Sequence, residues 1–403
     1  MLELKDFEAA AGRLKNVIHN IPLSTSCTFS AMTGAEVYLK YENQQKTGSF
    51  KVRGAYNKIM KRYAEGNLHA VVASSAGNHA QGVAFAASSV GVKSTIVMPR
   101  STPIAKVSAT QGYGAEVVLA GNIYDEAYAR ACEICEETGA EFIHPFDDED
   151  VMAGQGTIAL EILRDLPFVD MIFVPAGGGG LISGIAACAK QINPRIQIIG
   201  VQAEGAPAIA NSFRAGVLTP ADSVRPIADG IAVKTPGQNT FHYIQQYVDR
   251  VVTVSDDEIS SAVLLLLERC KQVVETSGAA SLAAVLNNKV DVTGKKVVCV
   301  LSGGNIDVSF IHKIVEKGLV ARCRHLKFST IMPDAPGALE HFAHLVAEQN
   351  ANIIRFQHDR VQADLDIGEA IIQVVCEVGG VEHAKRLLDE LARSGYQVFS
   401  SQI

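Results

Sequence analysis

AVVASSAGNHAQGVAFAAS, residues 70–88, decides the fold. Its first five residues are apolar or small with no polar alternation, which reads as a strand covered on both faces. A turn of small residues around Gly77-Asn78 follows, then a helix-like run to about Val90. A strand passing through a short glycine turn into a helix is half of a βαβ unit, and the flanking sequence repeats it. STIVM (94–98) leads into IAKVSATQGY, AEVVLA (115–120) into a helix expected from Ile123 to about Thr138, and EFIHPF (141–146) closes the series. Further out, the helical GTIALEILRDL precedes MIFVPA (171–176), a glycine run and the helical LISGIAACAKQI. IQIIGVQAE (196–204) and KKVVCVLSGGN (295–305) add strands. The expectation is an α/β unit over residues 1–320 with two sheets, a smaller subdomain of about 50–150 being inserted in a larger one.

Around residue 320 the pattern changes. The basic ARCRHLK has no long apolar period, and HLKFSTI, DAPGALEHFAHLVAEQN, ANIIRFQHD, EAIIQVVCEV, VEHAKRLLDELARSG and YQVFSS follow. That order is β-α-β-β-α-β, a ferredoxin-like arrangement, expected as a separate domain over 325–403.

Composition narrows the function. Hydrophobic residues are 48% and charged residues 20% of the 403, as in a folded, soluble chain. A net charge of −7 with no basic run argues against a nucleic-acid partner. The N-terminal MLELKDFEAAAGRLKNVI lacks an apolar core and is not expected to be a secretory signal, and no stretch is long and apolar enough for a membrane span. Eight scattered cysteines suggest a reducing, cytoplasmic setting. Cys132 and Cys135 form a C-x-x-C inside an acidic helical stretch, where plain thiols are expected over a redox pair.

Four segments combine glycine with polar groups. In TGSFKVRGA, Lys51 follows Phe50 among small residues. Alone it reads as a solvated surface charge, yet a lysine amine with a lowered pKa forms imines with carbonyl cofactors. SSAGNHAQG (74–82) opens a helix, so its free N–H groups suit an anion, and it reads equally as an ordinary capped turn. PAGGGGL (175–181) places four glycines before a helix, more than a turn requires; with no following Lys-Ser/Thr it is not a P-loop, and it suits a phosphate cup. LSGGN (301–305) is a tight turn whose Ser302 offers a neutral hydroxyl. An imine-forming lysine, an anion loop, a phosphate cup and a hydroxyl for a ring nitrogen are together what pyridoxal phosphate needs.

SFKVRGA, SSAGNHAQG, PAGGGGL and LSGGN, in this order, resemble the serine/threonine dehydratases, fold-type II pyridoxal-phosphate enzymes related to the tryptophan synthase β-subunit. The resemblance covers residues 5–320, and the terminal βαββαβ unit resembles an ACT domain, an amino-acid-sensing module. It implies that Lys51 carries the cofactor as an imine and then takes the substrate Cα proton, with Phe50 packed beside the ring. Asn78 is implied at the cofactor 3′-oxygen, Gly177, Gly178, Gly179, Gly180 and Leu181 at the phosphate, and Ser302 at the pyridine nitrogen. Ser75, Ala76, Gly77, Asn78 and His79 are implied at the substrate carboxylate. With Ser302 as the implied neutral partner, the ring nitrogen need not be protonated, which favours β-elimination over transamination. Serine racemases of this group have a serine where Ala76 stands, so racemisation is expected to be weak.

The implied activity is α,β-elimination of L-threonine to 2-oxobutanoate and ammonia, with L-serine giving pyruvate. Some relatives hold a divalent cation with a glutamate and an acid six residues later; Glu204 fits the first position, but Ala210 occupies the second. The ACT resemblance implies an effector site at Asp334 and Gly337, facing Asn352 to Ile354 of a neighbouring domain, and a homodimer or homotetramer. The turn reads equally as a helix start. Isoleucine or valine is the expected effector class, with a nucleotide as the other kind. A serine-specific dehydratase or serine racemase, and a non-catalytic amino-acid-binding regulator, are the competing readings.

Overall fold

The computed structural model describes residues 1–66, 68–360 and 366–399; Ser400 and Ser401, the end of the last expected strand, lie outside the described residues. The chain divides into two units, Met1–Asp307 and Val308–Ile403. The helix Val308–Ala321 thus falls with the second unit, where its Glu316 lies 3.7 Å from Lys327 and 3.9 Å from Arg355. The basic ARCRHLK is the end of that helix running directly into a strand.

Among the described residues, ten strands form the first unit: β1 (Ser24–Thr25), β2 (Glu36–Tyr41), β3 (Ala70–Ser74), β4 (Lys93–Met98), β5 (Glu116–Leu119), β6 (Glu141–Phe142), β7 (Met171–Pro175), β8 (Gln197–Ala203), β9 (Arg250–Val254) and β10 (Lys296–Leu301). The larger sheet has the order β1-β2-β10-β7-β8-β9, parallel throughout except for the β1–β2 pair. The smaller, β5-β4-β3-β6, is all parallel, and its residues lie between β2 and β7 in sequence. Continuous apolar strands explain this: every residue of β7 is buried, as are five of six in β10. Sheets covered on both faces need such strands. β1, β2 and β9 have no counterpart among the expected strands. β6 is shorter than EFIHPF because the chain leaves the sheet at Ile143 and delivers His144, Pro145 and Phe146 to the cleft loops.

Topology sets the site. β10 lies between β2 and β7, with Leu301 opposite Tyr41 and Cys299 opposite Phe173. The turns that leave β7 and β10 therefore emerge side by side at the carboxyl edge of the sheet, where open α/β sheets bind ligands.

The second unit contains β11 (His325–Pro333), β12 (Asn352–Asp359), β13 (Glu369–Glu377) and β14 (Gln397–Phe399), with helices Ala338–Glu348 and Val381–Arg393. The antiparallel order β12-β13-β11-β14 is ferredoxin-like. β11 and β13 bury alternate residues, and Phe328, Val374, Phe342, Leu387 and Leu391 form the core between sheet and helices.

Candidate active site

Lys51 begins the helix Lys51–Ala64. The Phe50 amide donates to the Ser302 carbonyl (3.0 Å), the Gly304 amide to that of Gly48 (2.9 Å), and Ser49 bridges Gly303. These bonds stitch TGSFK to LSGGN and bring the start of the Lys51 helix beside the buried Ser302. Lys51 Nζ donates to the Pro145 carbonyl (2.7 Å) and lies 5.3 Å from the centre of the Phe50 ring. Burial disfavours its ammonium and pushes the amine down to about 8, against the partial opposition of Glu275.

The loop after β3 opens the helix Asn78–Ser89. Among the described residues, the amides of Asn78, His79 and Ala80 donate to no protein acceptor, and the Gly77 amide donates to Ser75 Oγ (3.3 Å). An anion therefore finds donors there. The His79 ring turns inward: Nε2 donates to the Ile143 carbonyl (2.8 Å), and Nδ1 is buried without a partner. Burial, reinforced by the charge of Lys51, pushes this imidazole down to about 3, so it is neutral. The loop can meet a carboxylate through its amides and Ser75, not through a histidine cation.

The glycine run after β7 opens the helix Gly180–Ile192. Its first helical bond runs from the Ser183 amide to the Gly179 carbonyl (2.9 Å), and among the described residues the amides from Gly177 to Leu181 donate to no protein group. The glycines are required here. A Cβ on Gly177 would come within 2.9 Å of Ile231 Cα, and one on Gly180 within 2.8 Å of Phe146 Cα. One on Gly178 would enter the Phe146 ring, and Gly179 combines φ +101° with Thr240 at 2.7 Å from its Cβ position. Open amides in a cradle closed to side chains suit a phosphate.

Two groups without an expected role complete the site. Glu275 precedes the helix Thr276–Leu286, and Asn305 ends the LSGGN turn. Asn78 Nδ2 donates to Glu275 Oε1 (2.8 Å), and Asn305 Nδ2 donates to Asn78 Oδ1 (2.7 Å). The signal for Glu275 was present in sequence: QVVETSGAA sets one acid between an apolar pair and a helix of small residues.

Glu204 follows β8 as an exposed residue, and Ala210 is buried in the next helix. Among the described residues no cluster of three or more His, Cys, Asp or Glu side chains is placed to hold a metal. In the second unit, the Asp334 amide donates to the Gly368 carbonyl (2.8 Å), its carboxylate meets Arg360 Nε (3.3 Å), and Gly337 caps the helix at φ +88°. Asn352 pairs with Glu377 on edge strand β12, and Ile354 sits exposed at a register shift. Asn352 and Asp334 lie at opposite ends of the sheet, since Glu377 also faces His325, the start of β11.

A buried, depressed lysine, an amide cradle and a neutral hydroxyl at the carboxyl edge of a parallel sheet are features that suit pyridoxal phosphate. The family model described as "Pyridoxal-phosphate dependent enzyme" matches residues 14–303, and the chain belongs to that family. It is 49% identical to the L-threonine ammonia-lyase of Thermotoga maritima over 99% of both chains. Its structure is similar to that of processed threonine deaminase isoform 2 from Solanum lycopersicum, with TM-score 0.74 and 38% identity, over 78% of this chain and 93% of that one. It is also similar to maize serine racemase, with TM-score 0.74 and 36% identity, over 79% and 98%.

Proposed function

We propose that this chain is a threonine ammonia-lyase, converting L-threonine to 2-oxobutanoate and ammonia, with L-serine as a second substrate giving pyruvate. Full-length similarity to the Thermotoga maritima relative carries the choice of reaction. The cleft chemistry supports it. Pyridoxal phosphate, when bound, supplies the sink for the electron pair left at Cα. The amides from Gly177 to Leu181 hold its phosphate, Ser302 its ring nitrogen and Asn78 its 3′-oxygen, with Phe50 beside the ring. Lys51 anchors it through Nζ. Once released by the substrate amine, Nζ takes the Cα proton, and a pKa of about 8 leaves part of the amine free near neutrality. The turn from Ser75 through Ala76 and Gly77 to Asn78 and His79 holds the substrate carboxylate. The Cβ hydroxyl leaves with a proton as water, the proton taken from Cα balancing the one delivered to the leaving oxygen, and the enamine product hydrolyses to the 2-oxo acid and ammonia.

Similarity to serine racemases favours racemisation as the second reading. The side chain of Ala76 has no proton to transfer, which weighs against it.

The second unit is proposed as an ACT-like regulatory domain. Asp334 and Gly337 lie at one end of its sheet and Asn352 at the other, so an effector site using both ends takes them from two copies. That arrangement supports a homodimer or homotetramer binding an amino acid such as isoleucine or valine, or a nucleotide. All eight cysteines are free, which supports a cytoplasmic setting; no helix among the described residues is long and apolar enough to cross a membrane. The test is 2-oxo-acid release from L-threonine and L-serine side by side, repeated with isoleucine, valine and AMP. Product from L-threonine is expected, and none from either substrate overturns the proposal. Turnover of serine alone selects the serine-specific dehydratase.

A further inference from the structure

Asn78 carries an amide whose two ends are chemically opposite, and its neighbours allow only one orientation. Asn305 Nδ2 donates both to the Thr47 carbonyl (2.7 Å) and to Asn78 Oδ1 (2.7 Å). A backbone carbonyl only accepts, so Thr47 fixes which end of Asn305 is the amine. Asn305 in turn requires oxygen on the facing side of Asn78. At the other end, Asn78 Nδ2 donates to Glu275 Oε1 (2.8 Å). Turning the Asn78 amide over would set nitrogen against nitrogen at Asn305 and oxygen against oxygen at Glu275. The relay from Thr47 through Asn305 and Asn78 to Glu275 leaves one Asn78 N–H uncommitted.

The surroundings are shaped for this contact. A Cβ on Gly303 would lie 2.5 Å from Glu275 Oε1 and 3.1 Å from Asn78 Nδ2, so the glycine admits the pair. The Glu275 amide is held by the Gly303 carbonyl (2.9 Å). Gly230 stands on another side, with its Cβ position 3.5 Å from the same oxygen. Lys51, Lys106 and Asp229 are the charged groups that act on Glu275. Burial raises its carboxyl to about 7, opposed chiefly by the Asn78 bond.

We infer that Glu275 is a positioning residue of the cofactor site: by accepting from Asn78 it locks the amide so that the remaining N–H is aimed at the 3′-oxygen of pyridoxal phosphate. The inference rests on the cofactor assignment above and adds a group that does not itself touch the cofactor. It predicts that an acceptor at position 275 matters more than a charge there. Glutamine keeps an acceptor oxygen, and leucine has none.

The test uses full-length holoenzyme of wild type, Glu275→Gln, Glu275→Leu and Asn305→Asp. Borohydride reduction and peptide mapping first establish whether the cofactor is on Lys51 in wild type; if it is not, the cofactor assignment fails, and this inference with it. With the cofactor on Lys51, two quantities are read: the position and shape of the visible band of the lysine-bound cofactor, and its dissociation constant. Glu275→Leu is expected to displace the band and weaken cofactor binding about tenfold or more, the scale of a hydrogen bond to a charged group. Glu275→Gln is expected to keep the wild-type band and stay within about threefold in affinity, far less than that full bond. Asn305→Asp presents oxygen to Asn78 Oδ1 and is expected to displace the band as Glu275→Leu does, which serves if the leucine variant does not fold. An unchanged band in the leucine or aspartate variant overturns the inference, as does a glutamine variant as defective as leucine.

Discussion

Lys51 and Arg53 stand two residues apart at the start of one helix, and the chain treats their charges in opposite ways. Arg53 is fully buried and fully paired. Its guanidinium takes both oxygens of Glu42 (2.7 and 2.8 Å) and both of Glu161 (2.7 and 2.9 Å), with Thr157 Oγ1 at 3.0 Å. Glu161 also meets the buried Lys40 (2.6 Å), so two cations and two carboxylates close a neutral cluster. Burial works against the charge of Arg53, but the two carboxylates outweigh it and the guanidinium is held above its ordinary value. Lys51 is bonded to a carbonyl instead, with Glu275 acting at longer range, and burial wins. One turn of helix thus carries a charge made permanent and an amine made reactive. The difference lies in whether carboxylates are supplied or withheld.

Removing each side chain tests the contrast most directly. Lys51→Ala takes away the proposed attachment point and the proposed base together, and 2-oxo-acid release is expected to fall by about a thousandfold or more. The visible band of bound cofactor goes with it. A variant that keeps the band and the activity would show that another amine does the work. Arg53→Leu strands the buried carboxylate of Glu42 and leaves Glu161 with Lys40 alone, and urea unfolding of the cofactor-free protein is expected to show a loss of about 3–5 kcal/mol. A loss below about 1 kcal/mol, the scale of an exposed pair, would mean that water reaches the cluster.

The amine proposed to serve the chemistry should itself weaken the fold. For Lys51 the folded-state value, about 8, lies below its ordinary 10.5. The folded chain therefore binds this proton less tightly than the unfolded chain. The destabilisation is fully present below about pH 8 and fades as pH rises to the unfolded value. Lys51→Met removes the charge and keeps the bulk. It is expected to stabilise the cofactor-free protein at pH 7 by about 1–3 kcal/mol, a gain that shrinks by pH 10. Thermal unfolding at both pH values checks this, and a Met variant less stable at pH 7 than wild type would mean that the ammonium is well solvated in the cleft.

The sequence showed one half of this contrast and hid the other. Lys51, the glycine run and Ser302 were legible because each lies in a glycine-marked turn at a helix start or strand end, and such turns are local. The strands of the first unit from residue 70, β9 excepted, were legible for the same reason: AVVAS, STIVM and MIFVP are apolar or small whichever neighbours they pair with. The Arg53 cluster was not. Lys40 and Glu42 come from β2 and just after it, and Glu161 from a helix more than a hundred residues on, so no spacing along the chain marks them as partners. The amide relay was hidden likewise, since Asn78 meets Glu275 across 197 positions. β2 escaped because EVYLKY mixes charge with apolar residues, and only the fold shows Lys40 buried against Glu161. Within the second unit, alternation along β11 and β13 made the elements readable, whereas a site shared between copies leaves no trace in one chain's periodicity.

The smallest expected effect concerns the proposed far side of the substrate, where the side chain of Ala76 offers no proton donor. Ala76 sits half-buried in the turn between β3 and the Asn78 helix, beside the Gly77 amide bonded to Ser75. In the proposed site, a methyl there lets a proton taken by Lys51 return only from the Lys51 side, so elimination is the expected exit. Ala76→Ser adds a hydroxyl at that position, and small residues on both sides leave room for it. Racemisation of L-serine is expected to become measurable, at about a hundredth of the elimination rate or less, because an added acid–base group acts at full strength only when its own pKa and partners are tuned. Chiral chromatography of the serine pool during turnover reads it. If D-serine stays absent while 2-oxo-acid release is unchanged, the hydroxyl does not face Cα, and the absence of racemisation in the wild type would have to come from something other than Ala76.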